Sequence, residues 1–408
     1  MRCRHCQCAL SLPMVDLGTM PPSNAYLTGA EQFANEKAYP LKVWVCQYCW
    51  LVQTEDFTKA DELFTADYAY FSSTSASWLE HARQFATQSR VRLGLNAQSF
   101  VVELASNDGY LLKNYQAAGI PCLGIEPTTA TANVARQLGL EVVSAFFGKM
   151  LAERLYTQYR QADLIIANNV LAHVPDINDF VSGISLLLSD NGAVSLEFPH
   201  LLNLLTQCQF DTIYHEHYSY LSLHTVQTIL HTAGLRVFDV EQLPTHGGSL
   251  RLWCCHQQAQ YETYDSLQQV LALETQARLT SPVAYHGFQQ RVVGIATKLK
   301  DFLQQCHAEG KTVAAYGAAA KGNTLLNYAG IDSRLLPVVY DAAKSKQGKF
   351  LPGSHIPIVS PDLLVNNPPD VVIILPWNIA DEIKAQLRQQ CHTALTFVTA
   401  VPSLIISE

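Results

Sequence analysis

A strand that runs into a turn and then into a helix occurs twice in this chain, and this feature limits the possible folds most. The first unit is residues 99–103, SFVVE, followed by LASNDG and a helix start. The second is residues 312–316, TVAAY, followed by GAAAKGN. Another apolar run follows each unit, at residues 122–125 and 337–340. This alternation predicts two doubly wound sheets, and therefore an α/β protein.

The composition predicts a protein of several domains. With 408 residues, 48% of them hydrophobic, the chain can fill two or three cores. We expect domains at residues 1–65, 66–245 and 246–408. A net charge of -8 argues against nucleic acid as the main partner. Because no apolar run has the length of a membrane span or a signal peptide, we expect a cytoplasmic protein without a membrane partner.

Two cysteine pairs near the start of the chain predict a metal site. Cys3 and Cys6 form one Cys-x-x-Cys turn, and Cys46 and Cys49 form another. Four thiolates complete a closed tetrahedral site, so we predict one structural zinc ion per chain. The proline-rich segment between the pairs has few periodic apolar residues, and we expect the metal to supply folding free energy there.

Two alternatives to this zinc site stay open. The cysteines could form redox-active dithiol pairs instead of binding a metal. His5 and Cys8 lie close enough in the sequence to replace one of the four ligands. Zinc held by the four paired cysteines is the interpretation that the spacing favours.

The turn after the first strand is predicted to hold a nucleoside cofactor. Glu126 stands about twenty positions beyond this turn, where a carboxylate binds ribose hydroxyls. Ala105 occupies a position where a dinucleotide site would have glycine, which favours the looser acidic turn of S-adenosylmethionine enzymes. Ligands bind beyond the carboxyl ends of parallel strands, so residues 168–173 and 198–200 should reach the same crevice. The candidate cofactor-binding residues are Glu103, Ser106, Asn107, Gly109, Glu126, Asn168 and Asn169.

The segment 210–223, FDTIYHEHYSYLSL, places a phenol, two imidazoles and a carboxylate at Tyr214, His215, Glu216 and His217. Proton-handling groups flanked by apolar residues indicate the lining of a cleft. A hydrogen-bonded loop or a histidine metal site is the alternative. Because the cysteines already provide a closed metal site, we favour a catalytic role for this segment.

The second glycine turn contains a lysine, Lys321, followed by Asn323. A glycine turn with a lysine at a helix N-terminus suits phosphate, and the pyrophosphate of a nucleotide sugar would fit there. The alternative is a vestigial fold kept for packing. His246 and Ser249 belong to an HGGS segment between the two sheets, from which both could reach the sugar.

The motifs, taken together, resemble those of S-adenosylmethionine-dependent C-methyltransferases that act on nucleotide-linked deoxysugars. The resemblance covers the whole chain, with the motifs in the order that the family has. The matching motifs are the double Cys-x-x-Cys, YAYFSSTSASW at 68–78, VVELASNDGYLL at 101–112, NNVLAHVPD at 168–176, EFPH at 197–200, YHEHYSYLS at 214–222, HGGSLR at 246–251 and GAAAKGNTLLN at 317–327.

The resemblance implies three domains. A zinc-binding domain would come first, then a central methyltransferase domain, and then a Rossmann-like domain that helps to hold the nucleotide sugar. It also implies that the substrate is a nucleotide-activated 4-keto-deoxyhexose, methylated at C3. The family's catalytic base falls on His217 of this chain, with Glu216 and Tyr214 beside it.

Two further catalytic residues follow from the resemblance. His173 and a tyrosine of the Y-x-Y motif would face the reacting centre. We assign that tyrosine to Tyr70; Tyr68 is the other candidate, and otherwise a cofactor contact.

Methylation of a carbon beside a ketone requires a base and a group that holds the enolate charge. Histidine suits the first task because its unperturbed pKa lies near 6.5. We expect Glu216 to orient the imidazole of His217, and Tyr214, Tyr70 and His173 to offer donors to the enolate oxygen. The alternative functions are methylation of another ketone intermediate, or nucleotide-sugar binding without turnover.

Overall fold

The computed structural model describes residues 1–57, 71–391 and 393–408. The strands of these ranges are β1 (Leu12–Met20), β2 (Tyr39–Val45), β3 (Val52–Thr54), β4 (Val101–Leu104), β5 (Cys122–Ile125), β6 (Val142–Val143), β7 (Ala162–Asn168), β8 (Leu188–Pro199), β9 (Ser219–Tyr220), β10 (Leu235–Leu243), β11 (Ser249–His256), β12 (Val313–Tyr316), β13 (Val339–Tyr340), β14 (Ile358–Val359), β15 (Val371–Ile374), β16 (Thr396–Thr399) and β17 (Ile405–Ser407).

The α-helices are α1 (Ala76–Leu93), α2 (Leu112–Ala117), α3 (Thr129–Gln137), α4 (Lys149–Gln158), α5 (Ile177–Leu187), α6 (Leu201–Thr206), α7 (Leu223–Thr232), α8 (Asp265–Gln276), α9 (Phe288–Ala308), α10 (Ala320–Ala329), α11 (Asp362–Asn366) and α12 (Ala380–Gln390). Short 3-10 helices lie at Ala30–Asn35, Ser72–Thr74, Leu171–His173, Phe210–Thr212, Thr245–Gly247, Pro282–Ala284 and Trp377–Ile379. None of the helices described is long and apolar enough to cross a membrane.

The N-terminal region forms an antiparallel sheet in the order β1-β2-β3-β9. Its last strand comes from the YHEHYSY segment, because Val52 pairs with Tyr220 and Gln53 with Ser219. Side chains alternate along β2, and Leu41, Val43 and Val45 are buried. These apolar side chains share one core with α9 and β12, so this sheet does not need a core of its own.

The middle sheet has seven strands in the order β10-β11-β8-β7-β4-β5-β6. Strand β11 runs antiparallel to both of its neighbours, and the other strands are parallel to one another. The predicted strand at 122–125 is confirmed as β5, while the strand predicted at 99–103 begins at Val101. Because β4 lies between β5 and β7, the turns after these three strands meet at one edge.

The C-terminal sheet has six strands in the order β14-β13-β12-β15-β16-β17, and β17 alone runs antiparallel to its neighbour. The predicted second doubly wound sheet is therefore confirmed. Its first turn needs glycine at Gly317, where φ is +92° and a Cβ would lie 2.4 Å from Cδ of Pro376. Helix α10 begins at Ala320, four residues before the predicted start.

The loop after β1 packs against this glycine turn. Tyr26 donates its hydroxyl hydrogen bond to the carbonyl of Ala318 at 2.6 Å. Asn323 donates from Nδ2 to the carbonyl of Ser23, also at 2.6 Å. We call residues 23–27 the N-terminal plug. Through it, the N-terminal region contacts the first turn of the C-terminal sheet.

Candidate active site

The four paired cysteines form one cluster. Their sulfur atoms all lie within 4.8 Å of one another, with Cys3 Sγ 3.5 Å from Cys49 Sγ and Cys6 Sγ 3.4 Å from Cys46 Sγ. Zn–S bonds of about 2.3 Å in a tetrahedron require S···S distances of about 3.8 Å, so these residues fit zinc. His5 is engaged elsewhere, because its Nδ1 lies 2.7 Å from Oδ1 of Asn178.

The turn after β4 is closed by the carboxylate that follows β5. Glu126 Oε2 accepts a hydrogen bond from the backbone N–H of Asn107 at 2.9 Å, and Oε1 accepts one from the N–H of Thr128 at 2.8 Å. The chain just before α1 is tied to the same turn, since Ser72 N donates to Oδ1 of Asn107 at 2.9 Å. The predicted residues Tyr68 and Tyr70 lie outside the described residues.

Unsatisfied acceptors surround this turn. Among the buried oxygen atoms of the described ranges that have no hydrogen-bond partner are Oε2 of Glu103, Oγ of Ser106 and Oδ1 of Asp108, Asn168 and Asn169. Burial, followed by the charges of Asp108 and Glu126, raises the pKa of Glu103 well above its usual range. S-adenosylmethionine carries a sulfonium, an ammonium, ribose hydroxyls and an amine. An edge rich in acceptors suits such a cationic, donor-rich ligand.

Ser106 and Gly109, both predicted to bind the cofactor, lie where the turn packs closely against neighbouring elements. The hydroxyl of Ser106 faces β5, where a Cβ on Gly124 would lie 2.4 Å from Oγ. Gly109 has φ of +79°, and a Cβ there would lie 2.3 Å from Cδ1 of Leu140. Their side chains therefore contribute to the close packing of the turn against its neighbours.

His217 is held as a neutral imidazole. Its Nδ1 lies 2.9 Å from the carbonyl oxygen of Thr212, which can only accept, so the ring proton sits on Nδ1. Nε2 then accepts the hydrogen bond from the hydroxyl of Tyr214 at 2.7 Å. Burial, followed by the charges of His173 and Lys321, lowers the pKa of His217 well below its usual value. At neutral pH this ring is a base with its acceptor nitrogen at Nε2.

A second histidine adjoins the first. The ring centres of His173 and His217 are 4.5 Å apart, with an angle of 69° between the planes. His173 donates from Nδ1 to the backbone carbonyl of Glu216 at 2.7 Å. Burial lowers the pKa of His173 to about 4. The structure thus brings together two neutral imidazoles and the phenol of Tyr214.

The other two members of the YHEH motif face different partners. Glu216 Oε1 accepts hydrogen bonds from the backbone N–H and the Nδ2 of Asn24, at 3.2 and 3.1 Å. The expectation that its carboxylate orients His217 was wrong, because Thr212 and Tyr214 hold that ring. His215 lies with Nε2 3.2 Å from the carbonyl of Tyr39, in the N-terminal sheet.

The HGGS segment brings a third histidine towards the cofactor edge. His246 has φ of +55°, and its Nε2 lies 3.3 Å from Nδ2 of Asn169. Burial, followed by the charge of Lys321, lowers the pKa of His246 to about 4. Ser249 donates from Oγ to the carbonyl of Thr245 at 2.9 Å, so its hydroxyl is used within the turn.

A buried ion pair supports this segment. Glu197 is fully buried and accepts from Nη2 of Arg251 at 2.7 Å and from Oγ1 of Thr245 at 3.1 Å. Nε2 of His81 lies 3.0 Å from the same carboxylate. His200, expected at the cofactor edge, instead bonds Glu274 at 2.7 Å. Sequence reasoning missed this network because its members come from four separate elements.

Lys321 reaches the same region from the third sheet. Its Nζ donates to Oδ1 of Asn378 at 2.8 Å and lies 4.6 Å from the ring centre of Trp377. Trp377 donates from Nε1 to Oδ2 of the buried Asp211 at 2.6 Å. Asn323, also predicted as a substrate contact, is fully buried and holds the N-terminal plug. Trp377 and Asn378 follow strand β15 directly, so the rule for carboxyl ends of strands would have found them.

Comparisons with known proteins match the whole chain. Family models match residues 3–64 as a putative zinc binding domain, 78–240 as a methyltransferase domain and 244–402 as a C-methyltransferase C-terminal domain. The chain is 34% identical over 400 residues to the C-methyltransferase NovU of Streptomyces niveus, covering 98% of this chain and 95% of that relative. The chain belongs to the C-methyltransferase family.

Solved structures of other methyltransferases resemble part of this C-methyltransferase. A complex of the Haloferax volcanii Trm112 methyltransferase activator with a putative methyltransferase matches at 14% identity and a TM-score of 0.36, over 44% of this chain and 92% of that one. The magnesium protoporphyrin IX methyltransferase ChlM from Synechocystis PCC 6803, with bound SAM, matches at 16% and 0.33, over 44% and 81%.

This C-methyltransferase depends on S-adenosylmethionine and has a zinc-binding N-terminal domain. The resemblance that the sequence motifs indicated is therefore confirmed. In its structure, Asn169 stands at the end of β7 and contacts His246, so the cofactor edge and the histidine cluster are continuous. A methyl donor at that edge would adjoin the residues that can move a proton.

Proposed function

We propose that this enzyme methylates C3 of a nucleotide-linked 4-keto-deoxyhexose. The observation that carries the proposal is the neutral His217, whose acceptor nitrogen lies among other proton donors. A carbon becomes a methyl acceptor when a base can remove its proton, and a neighbouring ketone makes that proton acidic. The sugar and its nucleotide come from the resemblance of the sequence motifs.

His217 acts as the general base in this proposal. Nε2 removes the C3 proton, and the carbonyl of Thr212 stabilises the imidazolium through the Nδ1–H bond. For this step Tyr214 first turns its hydroxyl from Nε2 towards the substrate, which frees the lone pair of Nε2 for the proton. S-adenosylmethionine supplies the methyl group that C3 accepts. We assign His173 and Tyr70 to contacts with the sugar, and the acceptor-rich edge, including Glu126, to the methyl donor.

Glu216 takes a positioning role. Its backbone carbonyl fixes the tautomer of His173, while its carboxylate anchors Asn24 of the N-terminal plug. Burial raises the pKa of the Glu216 carboxyl, which means that burial disfavours a negative charge on this side chain beside the histidines. The motif therefore acts through both its side chains and its backbone.

The test combines a substrate panel with a single substitution. Labelled S-adenosylmethionine is incubated with a series of nucleotide-linked keto sugars and with free ketones. We expect transfer to a 4-keto-deoxyhexose, and a kcat lower by about 10²–10⁴-fold in His217→Asn because general-base catalysis contributes that much. The affinity for S-adenosylmethionine, measured by calorimetry, should not change.

His215→Asn is the matched control, because this neighbouring imidazole bonds the carbonyl of Tyr39 outside the cluster. It should keep turnover within about tenfold of the wild type. Near-normal turnover in His217→Asn would assign the base to another residue. Methyl transfer to a free ketone alone would contradict the nucleotide-sugar substrate.

A further inference from the structure

The ammonium of Lys321 has unused hydrogen-bonding capacity at the edge of the histidine cluster. It carries three N–H groups, and among the described residues Asn378 is the hydrogen-bond acceptor it meets. The ring face of Trp377, 4.6 Å away, offers a cation–π contact and no acceptor atom. Both neighbours belong to the segment after β15, which fixes the position of the ammonium from one side.

The buried carboxylate of Asp211 stabilises the positive charge of Lys321 without a direct ion pair. Asp211 is fully buried, and its Oδ2 accepts from Nε1 of Trp377, while its Oδ1 has no partner in the described part of the chain. Burial lowers the pKa of Lys321 to about 8, and the charge of Asp211 opposes that shift. The carboxylate thus favours the charged ammonium without using its N–H groups in a direct ion pair.

The helix that carries Lys321 packs on the segment that holds the base. Helix α10 contacts the 3-10 helix at Phe210–Thr212. Thr324 of α10 donates to the carbonyl of Ile213 at 2.8 Å, and the adjacent carbonyl of Thr212 accepts from His217. Lys321 and His217 are therefore placed by one and the same stretch of chain. The Thr245–Gly247 turn closes the region, since a Cβ on Gly247 would lie 2.3 Å from Trp377.

The glycine turn before Lys321 is not arranged to cradle a phosphate. Gly317 N donates to the carbonyl of Tyr340 at 2.7 Å, and Ala319 N donates to the carbonyl of Gly317 at 2.8 Å. Ala318 N donates to Oδ2 of Asp341 at 2.7 Å. With these three backbone donors in use and a carboxylate beside them, an anion gains little from residues 317–319. We therefore expect the ammonium of Lys321 to bind a group other than a phosphate held by this turn.

We propose that Lys321 is the electrophile of the reaction, binding the C4 ketone oxygen of the substrate and then the enolate oxygen. This inference rests on the proposed function, because it needs a ketone beside the carbon that His217 deprotonates. As Nε2 of His217 takes the C3 proton, the C3–H electron pair forms the C3–C4 double bond. The carbonyl π pair moves onto oxygen, where the ammonium meets the new negative charge.

An ammonium suits this task better than the neighbouring neutral donors. Burial keeps His173 and His246 uncharged at neutral pH, so each offers a dipole at most. A positive charge in a poorly solvated site stabilises a developing oxyanion strongly and without reorganisation. After C3 has accepted the methyl group, the pair returns from oxygen to restore the ketone. The proton stays on His217 until it leaves to solvent.

The decisive measurement is exchange of the C3 proton with deuterated solvent, followed by mass spectrometry in the presence of S-adenosylhomocysteine. The substrate is the nucleotide 4-keto-deoxyhexose that the wild type turns over. We expect Lys321→Met to slow both exchange and methyl transfer by about 10²–10³-fold, the typical loss for an oxyanion donor. Lys321→Arg should recover part of both rates. Lys311→Met, at an exposed lysine before β12 and therefore at the other end of that strand, should match the wild type.

Binding measurements separate this role from a phosphate contact. The affinity of Lys321→Met for the nucleoside diphosphate of that substrate, without its sugar, should stay within about twofold of the wild type. Lost affinity with unchanged exchange would overturn the proposal in favour of a phosphate contact. Unchanged affinity for S-adenosylmethionine shows that the variant is folded, and Lys321→Gln provides the same comparison if Lys321→Met does not fold.

The pH profile gives a readout that a structural role would not move. Lys321 is faced by Asp211, His217 and His246, and burial lowers the pKa of both histidines, so they are neutral where Lys321 titrates. A charged Lys321 is lost as the pH rises through about 8, so kcat/KM should fall there and Lys321→Arg should shift that fall upward. A profile unchanged in Lys321→Arg would contradict the proposal. A wild type that exchanges no C3 proton would instead contradict the proposed function itself.

Discussion

The middle and C-terminal sheets build their first turn in the same way. In the middle sheet, Glu126 follows the strand next to β4 and accepts a hydrogen bond from Asn107 N of the turn at 2.9 Å. In the C-terminal sheet, Asp341 follows the strand next to β12 and accepts one from Ala318 N at 2.7 Å. Each sheet thus has the strand, turn and acidic residue of a nucleoside-binding unit.

The two turns differ in what surrounds them. Around the middle turn, buried acceptors such as Oε2 of Glu103 have no partner within the described ranges. At the C-terminal turn, both the hydroxyl of Tyr26 and the Nζ of Lys346 donate to the carbonyl of Ala318, at 2.6 and 2.8 Å. The protein's own side chains occupy the position where a ligand would bind.

This difference shows how one fold serves two purposes in a single chain. In the middle sheet, the edge stays available and suits the methyl donor. In the C-terminal sheet, the N-terminal plug and Lys346 fill the edge, and Lys321 of the same turn is directed towards the histidine cluster.

Removal of zinc should have the largest effect, and it should affect the N-terminal plug but not the cofactor edge of the middle sheet. The cysteine turns fix β3, and β3 pairs with β9 of the catalytic segment, so the loss of zinc should disorder both the plug and His217. We expect about one zinc per chain by elemental analysis, and methyl transfer reduced to background after chelation. S-adenosylmethionine should still bind to the middle sheet, as calorimetry would show.

Restored zinc is the control for this experiment, and it should restore activity. A preparation without metal that is fully folded and active would show that the cysteine cluster is not needed for the fold. Lost affinity for S-adenosylmethionine after chelation would show that cofactor binding by the middle sheet depends on the zinc-binding region.

The next largest effect is expected when Glu126 and Asp341 are each replaced by alanine, because each replacement should affect a different sheet. Glu126→Ala should weaken S-adenosylmethionine binding by about tenfold or more, because a hydrogen bond to a charged group contributes on the order of 1.5–3 kcal/mol. Asp341→Ala removes the acceptor of Ala318 N and Ala343 N, and should lower the free energy of unfolding by on the order of 2 kcal/mol. It should also reduce kcat, because Lys321 moves with the turn.

Calorimetry with S-adenosylmethionine and thermal unfolding of both variants check this pair. Each variant is the control for the other. The interpretation fails if Asp341→Ala weakens cofactor binding as much as Glu126→Ala does.

Tyr26→Phe should have the smallest effect. Burial raises the pKa of this phenol, so the hydroxyl is protonated and donates to the carbonyl of Ala318 throughout the working pH range. Lys346 still donates to that carbonyl in the variant, so we expect a loss of about 1 kcal/mol or less. Urea unfolding measures the loss. A change in the affinity for S-adenosylmethionine would show that the N-terminal plug also affects cofactor binding by the middle sheet.

Local patterns in the sequence were sufficient to predict many elements. The strand at 122–125 was predicted with the bounds that the structure has, because a short apolar run ended by turns is a strong local signal. The cysteine cluster was predicted for the same reason, since each Cys-x-x-Cys turn presents two ligands by itself. The starts of β4 and α10 differed by two to four residues, because helix and strand ends depend on what packs against them.

The partners of the catalytic segment could not be predicted in this way. Glu216 was expected to support His217, but its carboxylate contacts Asn24, which is 192 positions earlier in the chain. Trp377 bonds Asp211 across 166 positions. No spacing rule relates such residues, because their contact depends on how whole sheets pack together.

The sequence by itself determined the α/β architecture, the zinc ligands and the family, because each depends on motifs that are local and ordered along the chain. The tertiary structure decided which nitrogen of His217 can accept a proton, since the carbonyl of Thr212 fixes the tautomer. It also decided what the second glycine turn does. The N-terminal plug fills that turn, and the position of Lys321 beside the histidines follows from packing between three sheets.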